Sequence, residues 1–265
     1  MNEATAADIL RKIDREQRSA GERCSRGDVV REHSPGGLEC RIVYSHCAAE
    51  EIEEVIRDEV LLAESGPYAL EWKVYDYDDP PNLGDCLLAA GFEPEPLESL
   101  MLLRLNDEVL AAFDASAYQI KRIHDSQDLN HVAEIAREIG RTDFEEEKQR
   151  LSSGLRNTPD ELSIYVAYVD GEPVGCGRIH FKRNSDFAEL AGGRTKTTYR
   201  NRGIFTALVA ARLKEALARN CAHVLVDALP TSEPTLTKRG FQFVTHTRPF
   251  VYRPSVFWRS DRLSC

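Results

Sequence analysis

The sequence has no long apolar run, no cysteine pair of the C-x-x-C kind and no excess of basic residues. Its 265 residues include 34 Lys and Arg against 44 Asp and Glu, a formal net charge of −10. Phosphate contacts need a basic face, so we expect no nucleic acid as a main partner. No stretch approaches the ~20 apolar residues that span a bilayer, and the polar start MNEATAADILRKIDREQ lacks the apolar core of a signal peptide. We therefore expect no membrane partner either.

The cysteines and histidines form no recognisable ligand set. The seven cysteines are scattered singly, which favours a reducing, cytoplasmic location over a disulfide framework or a cysteine-built zinc site. The histidines show no H-E-x-x-H or similar spacing, so we expect no metal. Cys176 and Cys221 are interpreted as small core residues, and the fragment Gly175-Cys176-Gly177 as a kink within a strand.

Helical and strand patterns alternate in both halves of the sequence, which is typical of a mixed α/β fold. In the first half they predict helices over 6–18, 48–63 and 83–90, a hairpin over 29–43 turned at 34–37, and strands over 68–75 and 100–105. In the second half they predict strands over 118–123, 187–194 and 223–229, hairpins over 162–181 and 241–252, and helices over 128–139, 144–155, 204–219 and 233–239. At this length we expect two domains, 1–114 and 115–265.

One segment differs from the rest of the acidic chain by its charge. A run of bases without an intervening acid consists of Arg194, Lys196, Arg200, Arg202, Arg212 and Lys214. The loop at 199–203 lies between a predicted strand and a predicted helix. A helix N-terminus offers unpaired N–H groups and the positive end of the dipole, and glycine lets an anion approach the backbone. The pattern predicts a phosphate-binding loop; the alternative is a solvated basic surface with Gly203 as an ordinary turn.

The segment TTYRNRGIFTALVAARLKEAL, residues 197–217, resembles the coenzyme-A motif of the GNAT superfamily of N-acetyltransferases. That motif reads R/Q-x-x-G-x-G/A before a long helix. Arg200 and Gly203 match it, and Phe205 stands where Gly or Ala is usual. The run KRGF at 238–241 is similar to the short helix and Gly-Phe pair near the end of that fold. The resemblance covers about residues 117–253 and implies a catalytic domain at 115–265 with acetyl-CoA as co-substrate.

The resemblance also implies roles for the residues around the loop. The main chain at 194–196 should pair with the pantetheine arm, and the N–H groups at 202–205 should hold the pyrophosphate. The side chain of Lys196 or of Lys238 is a candidate for binding the 3′-phosphate. The residues expected to bind the cofactor are Arg194, Thr195, Lys196, Arg200, Asn201, Arg202, Gly203, Ile204 and Phe205.

Two carboxylates are candidate general bases for an attacking amine. Glu189 lies on the strand before the loop, where protein-acetylating members of the superfamily have a similar glutamate. Asp227 on the following strand is the second candidate. The alternative for each is a solvent-facing or ion-paired structural role. Leu236 stands where the superfamily often has the tyrosine that protonates the thiolate, which leaves Ser232, Tyr199 or water for that step.

The first half resembles the same superfamily in degenerate form. The segment LEWKVYDYDDPPNLGDCLLAAGFEPEP, residues 70–96, has a strand, a short helix and a Gly-Phe pair in the same order as near the C-terminus. It has no Arg/Gly loop, and Asp76, Asp78 and Asp79 would repel a phosphate. We interpret 1–114 as a degenerate GNAT-like copy that shapes the substrate cleft; an unrelated α/β domain is the alternative. The C-terminal VFWRSDRLSC is expected to dock on the body or at a homodimer contact.

These observations predict two tandem GNAT-like domains and an N-acetyltransferase that moves an acetyl group from acetyl-CoA to a primary amine by direct attack in a ternary complex. Pre-positioning lowers a barrier by about 7–11 kcal/mol, whereas a general base contributes roughly 10²–10⁴-fold. The phosphate loop is therefore a better sign of activity than any single base. The acceptor is expected to be a small-molecule or peptide amine. The alternative is a protein that binds or senses acyl-CoA without turnover.

Overall fold

The chain divides by its contacts into two compact units in a computed structural model that describes residues 6–24, 28–34, 37, 39–66, 68–113 and 118–254. One unit is Met1–Ser99 with Val244–Cys265, and the other is Leu100–Phe243. The predicted domain boundary at 114/115, the tip of the first predicted hairpin and the C-terminal VFWRSDRLSC lie outside the described residues. The division into a degenerate domain 1–114 and a catalytic domain 115–265 stays a prediction.

Helices and strands alternate along the described chain. Up to residue 113 they are α1 (Ala6–Ala20), β1 (Glu22–Arg23), β2 (Asp28–His33), β3 (Glu39–His46), α2 (Ile52–Ser65), β4 (Ala69–Tyr75), α3 (Leu83–Ala89), β5 (Glu93–Pro94), β6 (Glu98–Arg104) and α4 (Asp107–Ala111). From residue 118 they are β7 (Gln119–Ile123), α5 (Leu129–Glu138), α6 (Phe144–Asn157), β8 (Leu162–Val169), β9 (Glu172–Phe181), β10 (Phe187–Thr195), α7 (Ile204–Ala218), β11 (His223–Ala228), α8 (Glu233–Thr237) and β12 (Gln242–Tyr252). Within these described ranges, no helix combines the length and apolarity needed to cross a bilayer.

The second unit is a mixed sheet with helices on both faces. Its strands lie in the order β6-β11-β10-β9-β8-β7. Strands β10 and β11 are parallel, and β7 to β10 are joined antiparallel. Helix α7 packs on one face, where Val209 and Leu213 are buried with Leu190 of β10. Helices α5 and α6 cover the other face through Val132 and Leu151. The predicted mixed α/β fold is confirmed.

The first unit contains a run of paired strands as well. Its strands lie in the order β1-β2-β3-β4-β12, with β5 paired to β12, and β3 runs parallel to β4. Its core contains Ile42 and Trp72, and the C-terminal strand contributes Phe250. A buried ion pair also lies in this unit, because Arg31 donates to Glu59 over 2.6 Å and Glu59 is 3% exposed.

The two units repeat one arrangement of strand, helix, parallel strand and short helix. Strands β10 and β11 are paired over the four residues from Phe187 to Leu190, and β3 and β4 over the four from Glu39 to Ile42. After each short helix, Gly91 and Gly240 have a left-handed backbone, with φ of 89° and 92°. The phenylalanine after each glycine donates its N–H to a leucine carbonyl five residues earlier, over 3.1 Å in the first unit and 3.2 Å in the second.

The hairpin predicted over 241–252 is wrong. Residues Gln242–Tyr252 form one strand, β12, and its later part pairs with β4 from Thr247 to Tyr252. The segment holds no glycine, asparagine or aspartate to favour a tight turn. The fragment 175–177, interpreted as a kink, lies within the continuous strand β9, which pairs with β8 through all three residues and with β10 at Gly175 and Cys176.

Alanine at either left-handed glycine would strain the backbone without a steric clash. The nearest atom to the added Cβ lies 3.7 Å away at Gly91 and 3.6 Å away at Gly240. We expect Gly91→Ala and Gly240→Ala each to lower the free energy of unfolding by about 1–2 kcal/mol, and asparagine, which tolerates this conformation, to lower it less. Urea unfolding curves measure the effect. Alanine variants as stable as the wild type would contradict the shared backbone geometry.

Candidate active site

The parallel pairing of β10 with β11 ends before either strand does. Their parallel pairing ends at Leu190 and Val226, although β10 continues to Thr195 and β11 to Ala228. Beyond that pair the described ladder between the two strands stops. Crevices at the carboxyl ends of parallel strands are common ligand sites in α/β sheets. The topology therefore places a binding region at this end of the second unit.

A β-bulge on β10 opens the same region. Gly192 and Gly193 together face the single residue Gly177 of β9. A bulge leaves an extra residue unpaired in the ladder, and Gly193 is exposed. A Cβ on Gly192 would lie 2.4 Å from Arg178 Nη1, and one on Gly193 would lie 2.9 Å from Phe205 Cε2. A Cβ at either position would therefore require the neighbouring side chain to move, and at Gly192 the φ of 58° would add backbone strain.

The loop after β10 enters α7 through two residues with left-handed backbone. Asn201 has a φ of 60°, and Gly203, the N-cap of α7, has a φ of 86°. No side chain caps this helix, and among the described residues the N–H groups of Ile204, Phe205 and Thr206 have no acceptor. Unpaired N–H groups at the positive end of a helix dipole form an anion site.

The two arginines of the loop add charge to this anion site. Arg200 and Arg202 are exposed, and neither makes an ion pair within the described chain. Arg200 Nε donates to the Thr195 carbonyl oxygen over 3.4 Å, and the Arg202 guanidinium lies 5.1 Å from the centre of the Tyr199 ring. The hydroxyl of Tyr118 donates to the Arg202 carbonyl oxygen and holds the loop. The positive charge of the loop therefore faces solvent.

The predicted pantetheine strand, residues 194–196, has one residue with an open main chain. Thr195 pairs with Gly175, and the next N–H, that of Lys196, donates to the Val174 carbonyl oxygen over 2.9 Å. Bonded and non-bonded pairs alternate in an antiparallel ladder, so the N–H and C=O of Thr195 point away from β9. The Thr195 hydroxyl is buried and has no partner within the described chain. Thr195 is therefore the best placed of the three to pair with an extended ligand through its N–H, since its carbonyl oxygen accepts from Arg200 Nε.

The ammonium group of Lys196 is held inside the protein by two carboxylates. It donates to Glu134 over 2.6 Å and to Glu172 over 2.9 Å, and the residue is 6% exposed. Burial would lower the pKa of Lys196, but the hydrogen bonds to Glu134 and Glu172 outweigh it and raise the pKa. The ammonium group is thus charged and already bound to two carboxylates, which argues against the expected contact with a 3′-phosphate. Lys238, the other candidate, is exposed.

A second buried charge cluster joins the bulged strand to α6. Glu147, 3% exposed, accepts from Arg194 Nη2 and from Arg178 Nη1, each over 2.9 Å. Burial would raise the pKa of Glu147, but the hydrogen bond from Arg194 and the charges of both arginines outweigh it and lower the pKa. The side chain of Arg194 therefore links β10 to α6. Only the main chain of Arg194 is left to hydrogen-bond a cofactor.

The two candidate bases lie on the same face of the sheet. Glu189 of β10 pairs with Leu225 of β11, and Asp227 follows two residues later. Leu190 and Val224 point to the α7 face, so Glu189 and Asp227 point to the opposite face. Both are partly buried. The structure thus places one carboxylate before the end of the strand pairing and one after it.

The two hydroxyl groups that are candidates for protonating the thiolate are those of Ser232 and Tyr199. Leu236 is 1% exposed in the core under α7. The Ser232 hydroxyl donates to the Leu229 carbonyl oxygen over 3.0 Å. The Tyr199 hydroxyl donates to Glu172 over 2.9 Å, and this hydrogen bond raises the pKa of Tyr199. Both hydroxyls therefore already donate to an acceptor within the described chain.

The two cysteines interpreted as core residues have that role. Cys176 is 2% exposed and Cys221 6% exposed. Burial raises the pKa of Cys176 to about 11 and also raises that of Cys221. Both thiols are therefore protonated at neutral pH and unsuited to nucleophilic attack. No cluster of metal-ligating side chains occurs among the residues that the structure describes.

In the first unit the parallel pairing of β3 with β4 also ends before the strands do, at Ile42 and Trp72. Among its described residues this unit lacks a loop like that at 196–203. Residues 47–51 connect β3 to α2, whereas the longer loop 196–203 connects β10 to α7. Helix α2 begins among acidic residues, with Glu53 and Glu54 in its first turn and Glu50 and Glu51 before it. Four carboxylates at a helix N-terminus repel a phosphate. These glutamates, rather than the aspartates at 76–79, occupy the position equivalent to the phosphate loop.

Comparisons with known proteins agree with this geometry. Residues 129–241 match the model of the acetyltransferase (GNAT) family. A GCN5-related N-acetyltransferase from Kribbella flavida is similar with a TM-score of 0.65 and 12% identity, over 94% of this chain and 96% of its own. A functionally unknown conserved protein from Staphylococcus epidermidis ATCC 12228 has a TM-score of 0.64 and 16% identity, over 89% and 95%. A tandem GNAT protein from the clavulanic acid biosynthesis pathway has a TM-score of 0.58 and 14% identity, over 84% and 78%. No curated protein sequence matches the chain.

The second unit has a mixed α/β architecture, and residues 129–241 within it match the acetyltransferase (GNAT) family. The predicted resemblance to the GNAT superfamily is confirmed. The likeness to the tandem protein also confirms the predicted fold of two tandem GNAT-like domains. At these identities the structural likeness shows the fold alone, and the family match at 129–241 supports acyl transfer as the class of reaction.

Three features of the site were not predicted from the sequence: the bulge, the Glu147 cluster and the burial of Arg212. The signal for the bulge was the pair Gly192-Gly193 inside a strand. The signal for Arg212 was its place on the apolar stripe of α7, four residues after Leu208. Glu147 had no local signal, because its partners lie 31 and 47 residues away.

Replacing Glu147 would leave two partly buried guanidinium groups without their anion. We expect Glu147→Gln to lower the free energy of unfolding at pH 7 by about 3–5 kcal/mol. The folded-state pKa of Glu147 is lowered, so its stabilisation is present above the unfolded pKa, about 4.3, and is lost as pH falls through the folded value. Urea unfolding at pH 7 and at pH 3 should therefore show a large difference from wild type that shrinks in acid.

The matched control is Glu146→Gln, one residue earlier and exposed. It should change the free energy of unfolding by less than about 0.5 kcal/mol. Equal effects of the two substitutions, or a Glu147→Gln effect that does not depend on pH, would contradict the assigned ion pairs.

Proposed function

We propose that the chain is an acetyl-CoA-dependent N-acetyltransferase that moves an acetyl group to a primary amine by direct attack in a ternary complex. The GNAT match at 129–241 supports acyl transfer as the reaction class. The observation that carries the finer assignment is the anion site at the start of α7. Its N–H groups are uncapped, Gly203 has a φ of 86°, and the arginines beside it are exposed. A diphosphate supplies the charge that such a site accepts.

The proposed cofactor residues act in two parts. The N–H groups at 202–205 bind the pyrophosphate, with Arg200 and Asn201 shaping and charging the loop. The main chain at 194–196, chiefly that of Thr195, pairs with the pantetheine arm. The side chains of Arg194 and Lys196 support this strand through their internal carboxylate partners.

The reaction needs a neutral amine held beside the thioester. The nitrogen attacks the carbonyl carbon, a C–N bond forms, the C–S bond breaks, and the nitrogen loses a proton while the thiolate gains one. An alkylammonium group with a pKa of about 10.4 costs roughly 4–5 kcal/mol to neutralise at pH 7. We propose Glu189 as the group that accepts the amine proton, directly or through a water, with Asp227 as the second candidate. The partly buried carboxylates near the end of the strand pairing also favour a cationic acceptor, either a small molecule or a peptide.

Thiol release from acetyl-CoA tests this proposal when it is measured with a panel of primary amines. We expect steady, amine-dependent release and an acetylated product detectable by mass spectrometry. Acetyl-CoA binding without any product would instead favour an acyl-CoA-sensing protein. A chain that neither binds nor turns over acetyl-CoA would contradict both.

A carboxylate at Gly203 should block the anion site. We expect Gly203→Asp to weaken acetyl-CoA binding by about 100-fold or more, because the new charge sits at the positive end of α7. Titration calorimetry measures the Kd. Gly140→Asp is the matched control, since Gly140 has a φ of 85° and an added Cβ there meets nothing within 4 Å. The two variants have the same backbone strain, so equal affinities for acetyl-CoA would count against the proposed site.

Removing the proposed base should slow the reaction without weakening cofactor binding. We expect Glu189→Gln to lower kcat by about 10²–10⁴-fold with the Kd for acetyl-CoA unchanged. The residual rate should keep rising from pH 7 to pH 10, because the amine then loses its proton to solvent. Asp227→Asn should have the smaller effect. Should Asp227→Asn prove the slower variant, the two roles would be exchanged; full activity in both would remove the carboxylate mechanism.

A further inference from the structure

Arg212 is a buried arginine whose described partners are all main-chain carbonyl groups. It lies on α7, is 1% exposed, and donates to Leu208 O over 2.9 Å, Arg178 O over 3.1 Å and Ala191 O over 3.4 Å. No carboxylate in the described chain bonds it. Burial lowers the pKa of Arg212 to about 10, so the group is still charged at neutral pH. A buried charge without a counter-ion destabilises a fold, and such groups concentrate at functional sites.

The guanidinium of Arg212 lies against the bulge of β10. A Cβ on Gly177, the residue that faces the bulge, would lie 2.7 Å from Arg212 Cζ, and one on Gly193 would lie 3.8 Å from Arg212 Nη2. Ala191, whose carbonyl oxygen Arg212 binds, is the last regularly paired residue before the bulge. Glycine at 177 therefore admits the arginine, and this explains part of the Gly-Cys-Gly fragment that the sequence left without a role.

A second guanidinium approaches the bulge from the opposite face. Arg178 lies against Gly192, where a Cβ would be 2.4 Å from its Nη1. Arg178 and Arg194 share the one carboxylate of Glu147. The three guanidinium groups beside the bulge therefore outnumber the one carboxylate that binds them, and Arg212 and Glu147 are buried. That environment stabilises negative charge that develops on an oxygen atom.

We propose that Arg212 is a positioning residue for acyl transfer. By holding the carbonyl of Ala191 it fixes the bulge, so that the unpaired main chain at 192–193 can bind the thioester carbonyl oxygen, and its charge favours the oxyanion formed there. The negative charge appears on that oxygen as the C–N bond forms and leaves with the thiolate sulfur as the C–S bond breaks. This inference rests on the proposed function.

The first test compares Arg212→Met with Lys214→Met. Lys214 is exposed on the same helix, so its variant removes one positive charge from α7 away from the bulge. Three quantities are measured with acetyl-CoA: kcat, the Kd, and the infrared carbonyl stretch of bound acetyl-CoA labelled with ¹³C at the carbonyl. For Arg212→Met we expect kcat to fall by about 10- to 100-fold, the Kd to stay within about threefold, and the carbonyl stretch to return toward its value in water. Lys214→Met should match the wild type in all three.

A second variant keeps the inference testable where Arg212→Met fails to fold. In Arg212→Lys the charge is retained, but a buried ammonium loses its proton at a much lower pH than a guanidinium. Its kcat relative to wild type should therefore fall reversibly between pH 6 and pH 9. A packing defect would lower kcat equally across that range.

The outcomes separate this inference from the proposed function. A folded Arg212→Met with wild-type kcat and carbonyl stretch would overturn the role of Arg212 while leaving the acetyltransferase proposal intact. A wild type that binds acetyl-CoA without turnover would remove the enzymatic proposal, and the carbonyl stretch alone would then decide whether Arg212 polarises the bound thioester. A wild type that does not bind acetyl-CoA would overturn both.

Discussion

The candidate site depends on one constraint, which is that the parallel pairing of β10 with β11 stops at Leu190. If this pairing continued to Thr195, the main-chain N–H and C=O groups of 191–195 would bond to β11 and could not bond to a ligand. Because it stops, β10 can bulge at 192–193 and expose an unpaired edge. The chain then turns through Gly203 into the uncapped start of α7. The proposed ligand, an extended arm with a diphosphate at one end, would use both features.

The two units show how the same frame gains or loses an anion site. Both have four paired residues between the parallel strands and the same Gly-Phe closure after the short helix. They differ in the connection to the following helix, which is shorter in the first unit and lined with glutamates from Glu50 to Glu54. Loop length and the sign of the charge at a helix N-terminus therefore decide which unit can hold a phosphate. The sheet itself is common to both.

Local patterns were enough to predict most elements and the strand-loop-helix arrangement that leads into α7. The apolar stripe of α7, the Asp-Gly turn between β8 and β9 and the Arg200–Gly203 spacing all lie within short windows of sequence. Features that depend on distant partners were not predictable. The sequence around Lys196 favours a phosphate contact, but in the structure its ammonium group donates to Glu134 and Glu172. These two residues lie 62 and 24 positions away in the sequence. Helix α4 and the single strand β12 likewise follow from tertiary packing rather than from a strong local period.

The central claim is that the N–H groups at the start of α7 bind the diphosphate of coenzyme A. The most direct measurement is a ¹⁵N-edited NMR titration of the full chain with coenzyme A, following the amide protons of Gly203, Ile204 and Phe205. Hydrogen bonding to a phosphate oxygen should move these resonances downfield in a saturable manner, while amides of the equivalent loop at 47–51 stay unchanged. Binding that leaves the three amides unmoved and shifts other parts of the chain would contradict the account.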